Sequence, residues 1–321
     1  MALSGPISAI SAISAIVPSL GHSPWQDEML AALRRELATE DAELVWVHQG
    51  AVPAPTLDRP RERLLRLPQP VGFAAAANLG LVHADLRSTA IALVNDDLIV
   101  EPGWLAALAG ELGRRPRAAA VQGVHLELDR PEQVEGCGIG WNRAWQAVQV
   151  GAGEPPPEAS AAPFELFGVS ATAALYRRES LAGVLFDERL GSYYEDVELA
   201  VRLREAEWES WCVPAACARH AGQATAGRAP FGRWRSIHRN RLLVLRRLLG
   251  SEFASALPRL AARDLRDLLR AGLRFDGARA LGVVAGWAGA LPRLAAFAPP
   301  SVLASRRALA AAARFRIGSA A

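Results

Sequence analysis

The feature that most constrains the fold is an alternation of apolar strands and helices along the first hundred residues. The segments ISAIVPS (13–19), ELVWV (43–47), RLLRL (63–67) and TAIALVN (89–95) have strand character. TAIALVN is almost continuously apolar, as expected of a strand buried on both faces. One helix is predicted after the first strand and another over GFAAAANLGLVHADL (72–86). This order predicts an α/β fold with a doubly wound, mostly parallel sheet flanked by helices.

The composition indicates a folded globular protein of the reducing cytoplasm. With 321 residues and 51% hydrophobic content, the chain can bury a large core in one domain, with or without an appendage. Its three cysteines, Cys137, Cys212 and Cys217, are odd in number and contain no CxxC pair. That pattern argues against a disulfide framework and against a cysteine zinc site.

Neither apolar terminal region is expected to span a membrane. The first segment, MALSGPISAISAISAIVPSL, has no basic residue before its hydrophobic part, unlike a signal peptide, and is better interpreted as an early strand. The apolar stretch ALGVVAGWAGALP (280–292) lies between two arginines. It is shorter than the about 20 residues needed to cross a bilayer.

Charge is distributed very unevenly about the net value of +3. Residues 1–227 hold 18 arginines against 29 acidic residues, a net charge of −11, whereas residues 228–321 hold 18 against 4, a net charge of +14. The two parts are therefore expected to face different surroundings. We predict an α/β domain over 1–227 and an Arg-rich helical extension over 228–321.

Asn95, Asp96 and Asp97 follow the predicted buried strand TAIALVN directly. In doubly wound sheets, ligands bind outside the carboxyl ends of the strands. A divalent cation commonly uses one or two carboxylates together with substrate phosphates, so the segment is typical of a metal site for a nucleotide diphosphate. The same residues are also common turn formers, so this segment alone leaves a simple turn as the alternative.

A second group of polar residues lies in YYEDVELAVRLREAEW (193–208), which has helical periodicity. Glu195, Asp196 and Glu198 fall in its first turn, where the helix dipole favours acids without any further function. His220 ends the apolar strand WCVPAACARH, where a histidine is commonly structural.

Together these segments resemble the family 2 glycosyltransferases, which have the GT-A fold. The resemblance rests on GFAAAANLGL, LVNDDLIVEPGWLAAL, YRRESLAGVLFDERLGSYYEDVELAVRLREAEW and VPAACARHAGQAT, in that order. It covers roughly residues 8–250. It implies a GT-A-like catalytic domain over 1–227, with a nucleotide-sugar half over about 1–125 and an acceptor half over about 126–227.

The resemblance also implies roles for individual residues. The family's Asp-x-Asp-like element, here with Asn95 and Asp97 as its outer positions, binds a divalent cation (Mg or Mn) and the donor diphosphate. The Glu-Asp pair implies Asp196 as catalytic base with Glu195 beside it, and His220 completes the metal shell with Asp97. The implied donor-binding residues are Pro18, Ser19, Gly72, Asn78, Asn95 and Asp96.

Two segments depart from the family pattern, and both concern the donor. After the first strand, Pro18, Ser19, Leu20, Gly21 and His22 replace the usual Pro-Thr-Tyr-Asn-Arg-like segment. After the second strand, WVHQGA places a His-Gln pair, residues 48 and 49, where the family has an Asp that contacts the base. The segment GFAAAANLG is similar to rhamnosyltransferases, which implies a deoxythymidine-diphosphate sugar.

The implied reaction is inverting and metal-dependent. The sugar of a nucleotide diphosphate sugar moves to a hydroxyl of a glycan or a polyprenyl-linked acceptor, and Asp196 takes the proton. The resemblance implies a hexosyl- or deoxyhexosyltransferase of cell envelope polysaccharide biosynthesis. Two alternatives remain. A nucleotidyltransferase lacks support because VPSLGHSPW has no Gly-rich phosphate loop, and a non-catalytic sugar-nucleotide-binding relative is favoured by the His-Gln departure.

The extension contains a predicted amphipathic basic helix over 257–273. Arg259, Arg263, Arg266 and Arg270 form a stripe, and Leu260, Leu265 and Leu268 are expected toward the other face. Such a helix suits an anionic membrane surface, which predicts a cytoplasmic protein peripheral on the inner face of the membrane. Packing of the leucines on the catalytic domain is the alternative. No motif for nucleic acid accompanies the charge, so no nucleic-acid partner is expected.

Overall fold

A ten-stranded sheet with helices on both faces forms the core of the computed structural model, which describes residues 10–222 and 230–317. Its first half is built from β1 (Ile13–Ser19), β2 (Ala42–Gln49), β3 (Glu62–Leu67) and β4 (Ala90–Val94). The spatial order is β3, β2, β1, β4, and every neighbouring pair is parallel. The strands predicted from the sequence are confirmed here to within a residue or two at each end.

Three helices cover the two faces of this parallel half: α1 (Gln26–Leu37), α2 (Phe73–His83) and α3 (Trp104–Arg114). In β1, Ala15 and Val17 belong to the hydrophobic cluster that contains α1 and α3, whereas Ile16 belongs to the cluster that contains α2. Successive side chains of a strand point to opposite faces, so β1 is buried on both. This explains why its sequence is almost wholly apolar or small.

The second half of the sheet is mixed. Its strands are β5 (Leu98–Val100), β6 (Ala118–Glu127), β7 (Arg130–Gly136), β10 (Phe164–Leu166), β11 (Ala173–Arg177) and β12 (Glu209–His220). A separate two-stranded sheet contains β8 (Ile139–Trp141) and β9 (Ala147–Gln149). Strand β11 lies antiparallel between β4 and β6, and β12 runs parallel to β6. The predicted α/β fold class is confirmed, although the sequence did not indicate the antiparallel insertion.

This strand order brings distant polar residues to one edge of the sheet. The amide of Asn95, just after β4, donates to the Thr172 carbonyl, just before β11, at 2.8 Å. The amide of Ala221, just after β12, donates to the Asp97 carbonyl at 3.0 Å. The residues that follow β4 and β12 therefore meet, together with those that precede helix α4 (Glu195–Glu205).

The C-terminal part is helical, as predicted, with α5 (Pro230–Leu249), α6 (Phe253–Leu273), α7 (Gly277–Ala290) and α8 (Val302–Arg314). Leu242 and Leu245 of α5 share one hydrophobic cluster with Val197 and Val201 of α4. The extension therefore packs directly on the α/β part. The boundary predicted between residues 227 and 228 lies outside the described residues.

One helical segment of the described residues is long and apolar enough to cross a membrane by length and composition. It is Gly277–Phe297, with 21 residues and a mean hydropathy of 1.4, of which 28% is buried. It is longer than the apolar stretch predicted over 280–292, contrary to the expectation on length. In this fold the segment packs on α5, where a Cβ at Gly282 would lie 2.4 Å from the Trp234 side chain.

Helix α6 is amphipathic, but not in the way the sequence predicted. Leu260 is buried and Leu265 is exposed, so the leucines predicted for one face lie on different faces. The inward face instead carries two acids, Asp264 and Asp267. These acids have partners elsewhere in the chain, which no periodicity within one helix reveals.

Asp264 is the centre of a buried polar network between α5, α6 and α7. Its side chain is 2% exposed, and its Oδ2 accepts hydrogen bonds from Arg241 Nη2 at 2.8 Å and from Trp287 Nε1 at 2.7 Å. The Arg241 side chain is equally buried. The two charges therefore depend on each other for their solvation.

We expect Asp264→Ala to lower the free energy of unfolding by about 3–5 kcal/mol, because the buried guanidinium of Arg241 loses its counter-charge. Urea denaturation followed by circular dichroism measures this change. The control is Asp58→Ala, which removes an exposed carboxylate 3.5 Å from Arg34. That loss should cost less than about 1 kcal/mol. Equal effects of the two substitutions would contradict the importance of the buried pair.

Candidate active site

A cleft of about 970 Å³ opens at the edge of the sheet where the strand ends meet. Eight of the predicted site residues line it, from both halves of the α/β part: Pro18, Gly72, Asn95, Asp96, Asp97, Glu195, Asp196 and His220. The segments that the sequence analysis treated separately therefore form one site.

Two predicted donor-binding residues do not line the cleft. Ser19 lies behind it and donates from Oγ to Asp96 Oδ2 at 2.5 Å. Asn78 is buried in α2, where its Oδ1 accepts the amides of Leu185 and Phe186, both at 3.0 Å. Asn78 thus holds the loop before α4 against α2.

Asp97 and His220 are neighbours across the cleft floor. Asp97 Oδ1 lies 3.1 Å from His220 Nε2, and His220 Nδ1 lies 2.7 Å from the Glu135 carboxylate. Although burial lowers it, hydrogen bonds to Asp97 and Glu135 raise the pKa of His220 to about 10. Glu135 comes from β7 and carried no signal in the sequence. Its carboxylate contacts the nitrogen of the His220 ring that faces away from Asp97.

Asp96 has a different environment from Asp97. Its carboxylate accepts the Ser19 hydroxyl and faces the charge of Asp97. Burial, together with the Asp97 charge, raises the pKa of Asp96 to about 6. Asp96 is therefore held inside the first-strand loop, and Asp97 presents the carboxylate beside His220.

The side chains on the cleft floor suit a hard divalent cation. Asn95 Oδ1 is buried without a hydrogen-bond partner among the described residues. Asp97, two residues later, supplies a carboxylate to the same cleft. Oxygen ligands of this kind are preferred by Mg²⁺ and Mn²⁺. Within residues 10–222 and 230–317, no group of three or more His, Cys, Asp and Glu side chains is arranged to hold a metal ion. Water and phosphate oxygens commonly complete such a shell.

The Glu195–Asp196 pair faces the cleft from the start of α4. Asp196 Oδ1 accepts the Val197 amide at 2.8 Å, and its Oδ2 accepts the Ala171 amide at 3.3 Å. Glu195 Oε2 is buried with no partner in the described part of the chain. Burial raises the pKa of both carboxyls, and the charge of Asp196 raises that of Glu195 further. Such a raised pKa is typical of a carboxylate that accepts protons in a reaction.

The chain before α4 has an unusual backbone. Tyr193 and Tyr194 have φ angles of 70° and 69°, which residues other than glycine rarely adopt. Asn240 Nδ2 on α5 donates to the carbonyls of Leu190, Ser192 and Tyr193, at 2.9, 3.1 and 2.6 Å. No sequence motif indicates this asparagine, which lies 44 residues beyond Asp196 in the extension.

The two residues that replace the family's base-contacting Asp differ in position. His48 is buried, with Nε2 2.6 Å from the Val52 carbonyl, and it does not line the cleft. Gln49 does line it, and its Oε1 accepts the Val71 amide at 2.9 Å. Gln49 is therefore the residue of this pair that faces the cleft.

Arg233 is a further cleft residue that the sequence analysis did not single out. It lies in the first turn of α5, with its guanidinium 6.0 Å from the Tyr193 ring centre. Its Nε is buried without a hydrogen-bond partner within the described ranges. The extension thus contributes a cation to a cleft otherwise rich in carboxylates. Because arginines are frequent in this segment, no sequence pattern distinguishes the one that lines the cleft.

Comparison with known proteins supports a single family. Residues 38–185 match the family described as Glycosyl transferase family 2. No protein of curated function matches the chain.

Solved structures share the fold at low sequence identity. GalNAc-T7, solved with UDP, GalNAc and Mn²⁺, aligns with a TM-score of 0.56 and 14% identity over 76% of this chain. The alignment spans 49% of the GalNAc-T7 chain, so this chain matches about half of that protein's length. The mannosyltransferase PcManGT from Pyrobaculum calidifontis, in complex with GDP-Man and Mn²⁺, aligns with a TM-score of 0.46 and 17% identity, over 94% of this chain and 86% of that one. The match to that family covers residues 38–185, a little under half of the chain, and the α/β part has the GT-A fold.

Proposed function

We propose that this protein is an inverting, metal-dependent glycosyltransferase. It moves a hexosyl or deoxyhexosyl unit from a nucleotide diphosphate sugar to a hydroxyl of a glycan or polyprenyl-linked acceptor. The observation that carries the proposal is the placement of Asn95, Asp97 and His220 in the same cleft as Glu195 and Asp196. The fold neighbour GalNAc-T7 was solved with UDP, GalNAc and Mn²⁺, which supports a sugar nucleotide and a divalent cation by analogy.

Asn95, Asp97 and His220 would hold a divalent cation, Mg²⁺ or Mn²⁺. When bound, the cation neutralises charge on the leaving diphosphate. His220 must be neutral to ligate, so its raised pKa means that it gives up a proton when the site fills near neutral pH. Arg233 provides a second positive charge in the cleft, suited to phosphate oxygens.

Pro18, Gly72, Gln49 and Asp96 line the part of the cleft assigned to the donor. Ser19 supports Asp96 from behind, at 2.5 Å. The likeness of GFAAAANLG to rhamnosyltransferases supports a deoxythymidine-diphosphate sugar as the first donor to test.

Asp196 acts as the general base in this proposal. It lines the cleft, is only partly buried, and has two backbone amides that fix its carboxylate. Its raised pKa brings it closer to the range in which general bases work best. Direct attack by the acceptor hydroxyl needs no covalent sugar intermediate and inverts the anomeric centre. A cytoplasmic protein peripheral on the inner face of the membrane, acting in cell envelope polysaccharide synthesis, fits a polyprenyl-linked acceptor.

The direct test is a thermal-shift panel of nucleotide diphosphate sugars, with and without Mn²⁺ or Mg²⁺. A ligand at about 100 times its Kd adds about 2.7 kcal/mol of stability, which raises Tm measurably. Metal-dependent stabilisation by one donor supports the proposal, and product analysis with that donor tests transfer. Donor binding without any transfer would instead indicate a non-catalytic sugar-nucleotide-binding protein.

We expect Asp97→Ala to remove the metal-dependent part of donor affinity, because the substitution deletes a carboxylate ligand. Isothermal titration calorimetry of the donor with and without Mn²⁺ measures this. The matched control is Asp129→Ala, which removes another carboxylate that lines the cleft. An Asp97→Ala protein that binds donor with the full Mn²⁺ effect would exclude the metal role of Asp97.

We expect Asp196→Asn to keep donor binding and to reduce kcat by about 10²–10⁴-fold, because the amide preserves shape but accepts no proton. Steady-state kinetics with donor and acceptor give the two effects separately. Asp187→Asn is a control, since this carboxylate lies in the loop before α4 and binds Arg189. Turnover close to that of the native protein would show that Asp196 only stabilises the start of α4 and is not the base.

The pH dependence of kcat provides a further test. Transfer should fall as pH falls through the raised pKa of the Glu195–Asp196 pair, because the protonated base accepts no proton. The fall should begin at higher pH than for an ordinary Asp of pKa about 3.9. Glu195→Gln should leave the fall at nearly the same pH, because the charge of Asp196 raises the pKa of Glu195 and not the reverse, so Glu195 is still neutral when Asp196 ionises. Loss of activity at all pH values in Glu195→Gln would assign the base to Glu195 instead.

A further inference from the structure

The C-terminal helices expose large apolar side chains on an outward face. On α6, Leu265, Leu269 and Leu273 follow one another at intervals of four residues and are 54%, 58% and 82% exposed. Residues four apart lie on the same face of a helix. The opposite face of α6 carries the buried Leu260 and Asp264. The inner face of helix α6 therefore packs on the protein through both apolar and charged side chains, and its outer face exposes leucines to solvent.

The turn between α6 and α7 continues this surface. Phe275 is 96% exposed, and Leu281 and Val284 on the first turns of α7 are 64% and 55% exposed. We define the apolar tip as Leu269, Leu273, Phe275, Leu281 and Val284. An exposed aromatic ring between two exposed apolar helix faces is costly in water and indicates an interaction surface.

Arginines that form no ion pair with the described residues border the apolar tip. Arg266, Arg270 and Arg274 are exposed and form no ion pair with any described residue. Arg263 and Arg279, by contrast, pair with Asp267, each at 3.0 Å. The nearest acid after the turn, Asp276, accepts the Arg279 amide as the cap of α7. The charges beside the tip thus have no counter-charge in the described chain and suit an anionic partner.

The apolar tip is connected to the cleft by short contacts. Arg279, between Phe275 and Leu281, lies with its guanidinium 4.3 Å from the Trp234 ring centre. Trp234 is next in sequence to Arg233, which lines the cleft. The segment between Phe275 and Leu281 therefore contacts the same part of α5 that carries Arg233.

We propose that the apolar tip and its three arginines form a docking surface for an anionic lipid bilayer. Exposed apolar side chains enter the boundary between headgroups and acyl chains, and arginines beside them contact anionic headgroups. The helix α7 segment lies on the surface in this arrangement and does not span the bilayer, because Gly282 and Gly286 pack directly on Trp234 and His238 of α5. Charge complementarity favours lipid over a second copy of this chain, whose tip carries the same positive charge.

Co-sedimentation with phosphatidylcholine vesicles, with and without about 30% phosphatidylglycerol, tests the proposal. We expect the full-length native protein to sediment with the anionic vesicles and to be released by salt, since the Debye length falls to about 3 Å at 1 M. The triple variant Leu273→Glu/Phe275→Glu/Leu281→Glu should bind at least about tenfold more weakly. The high exposure of these side chains means that the fold should tolerate the change, which a thermal melt checks.

The matched control is Val82→Glu/Leu86→Glu, which alters two apolar side chains of the α/β part that are 71% and 88% exposed. This control should bind vesicles as the native protein does. A second variant, Arg266→Gln/Arg270→Gln/Arg274→Gln, keeps the tip and should lose the preference for anionic vesicles. It provides the test on its own if the triple Glu variant does not fold.

Two results would overturn the proposal. One is failure of the native protein to sediment with anionic vesicles. The other is sedimentation of the tip variant as strong as that of the control. A native dimer that becomes monomeric in the tip variant, with no vesicle binding, would assign the surface to a second copy of the chain. Donor binding in the same samples remains a separate measurement, so failure of docking and failure of the proposed transfer activity are distinguishable.

Discussion

The amide side chain of Asn240 is the interaction on which the geometry of the site depends. It is fully buried on α5 and holds three carbonyls of the loop that ends at Tyr194. That loop needs two consecutive residues with positive φ, each of which costs on the order of 1–3 kcal/mol. Hydrogen bonds from a buried amide offset part of this cost and fix where α4 begins. The position of Glu195 and Asp196 is thus set by a residue of the C-terminal extension.

Ion pairs attach the extension to the same helix. Glu198 and Glu205 of α4 are buried, and both pair with Arg247 of α5, at 3.2 and 2.5 Å. Burial raises the pKa of Glu198, and the charges of Arg202 and Arg247 oppose that rise. Part of the charge difference between residues 1–227 and 228–321 is therefore internal, since arginines of the extension neutralise acids of the α/β part. The arginines beside the apolar tip are the part of that difference that faces outward.

The sequence predicted the elements that depend on local pattern. Strand β1 is predicted at 13–19 and found at Ile13–Ser19, because its β-branched and apolar residues favour a strand. The motif residues Asn95, Asp97 and Asp196 do line one cleft. Resemblance, and not periodicity, brought these segments together.

Features that depend on long-range contacts were not predictable. Glu135 orients His220 from a strand with no motif, and Asn240 acts from beyond the α/β part. Asn78 lies in a motif and yet holds a loop, because its two polar atoms find partners 107 to 110 residues away. On α6, the leucine pattern predicted the wrong buried face, because Asp264 is buried in a hydrogen bond with Arg241. In each case the deciding partner is distant in sequence.

Helix α5 connects the cleft with the proposed docking surface. Its first turn carries Arg233 in the cleft and Trp234 against Arg279, and further along it carries Asn240 against the loop before α4. Glycines at 282 and 286 let α7 approach α5 so closely that a Cβ at either position would clash with it. The apolar tip therefore has a fixed position relative to Asp196. Docking of the tip on a bilayer, as proposed, would therefore fix the orientation of the cleft relative to that bilayer.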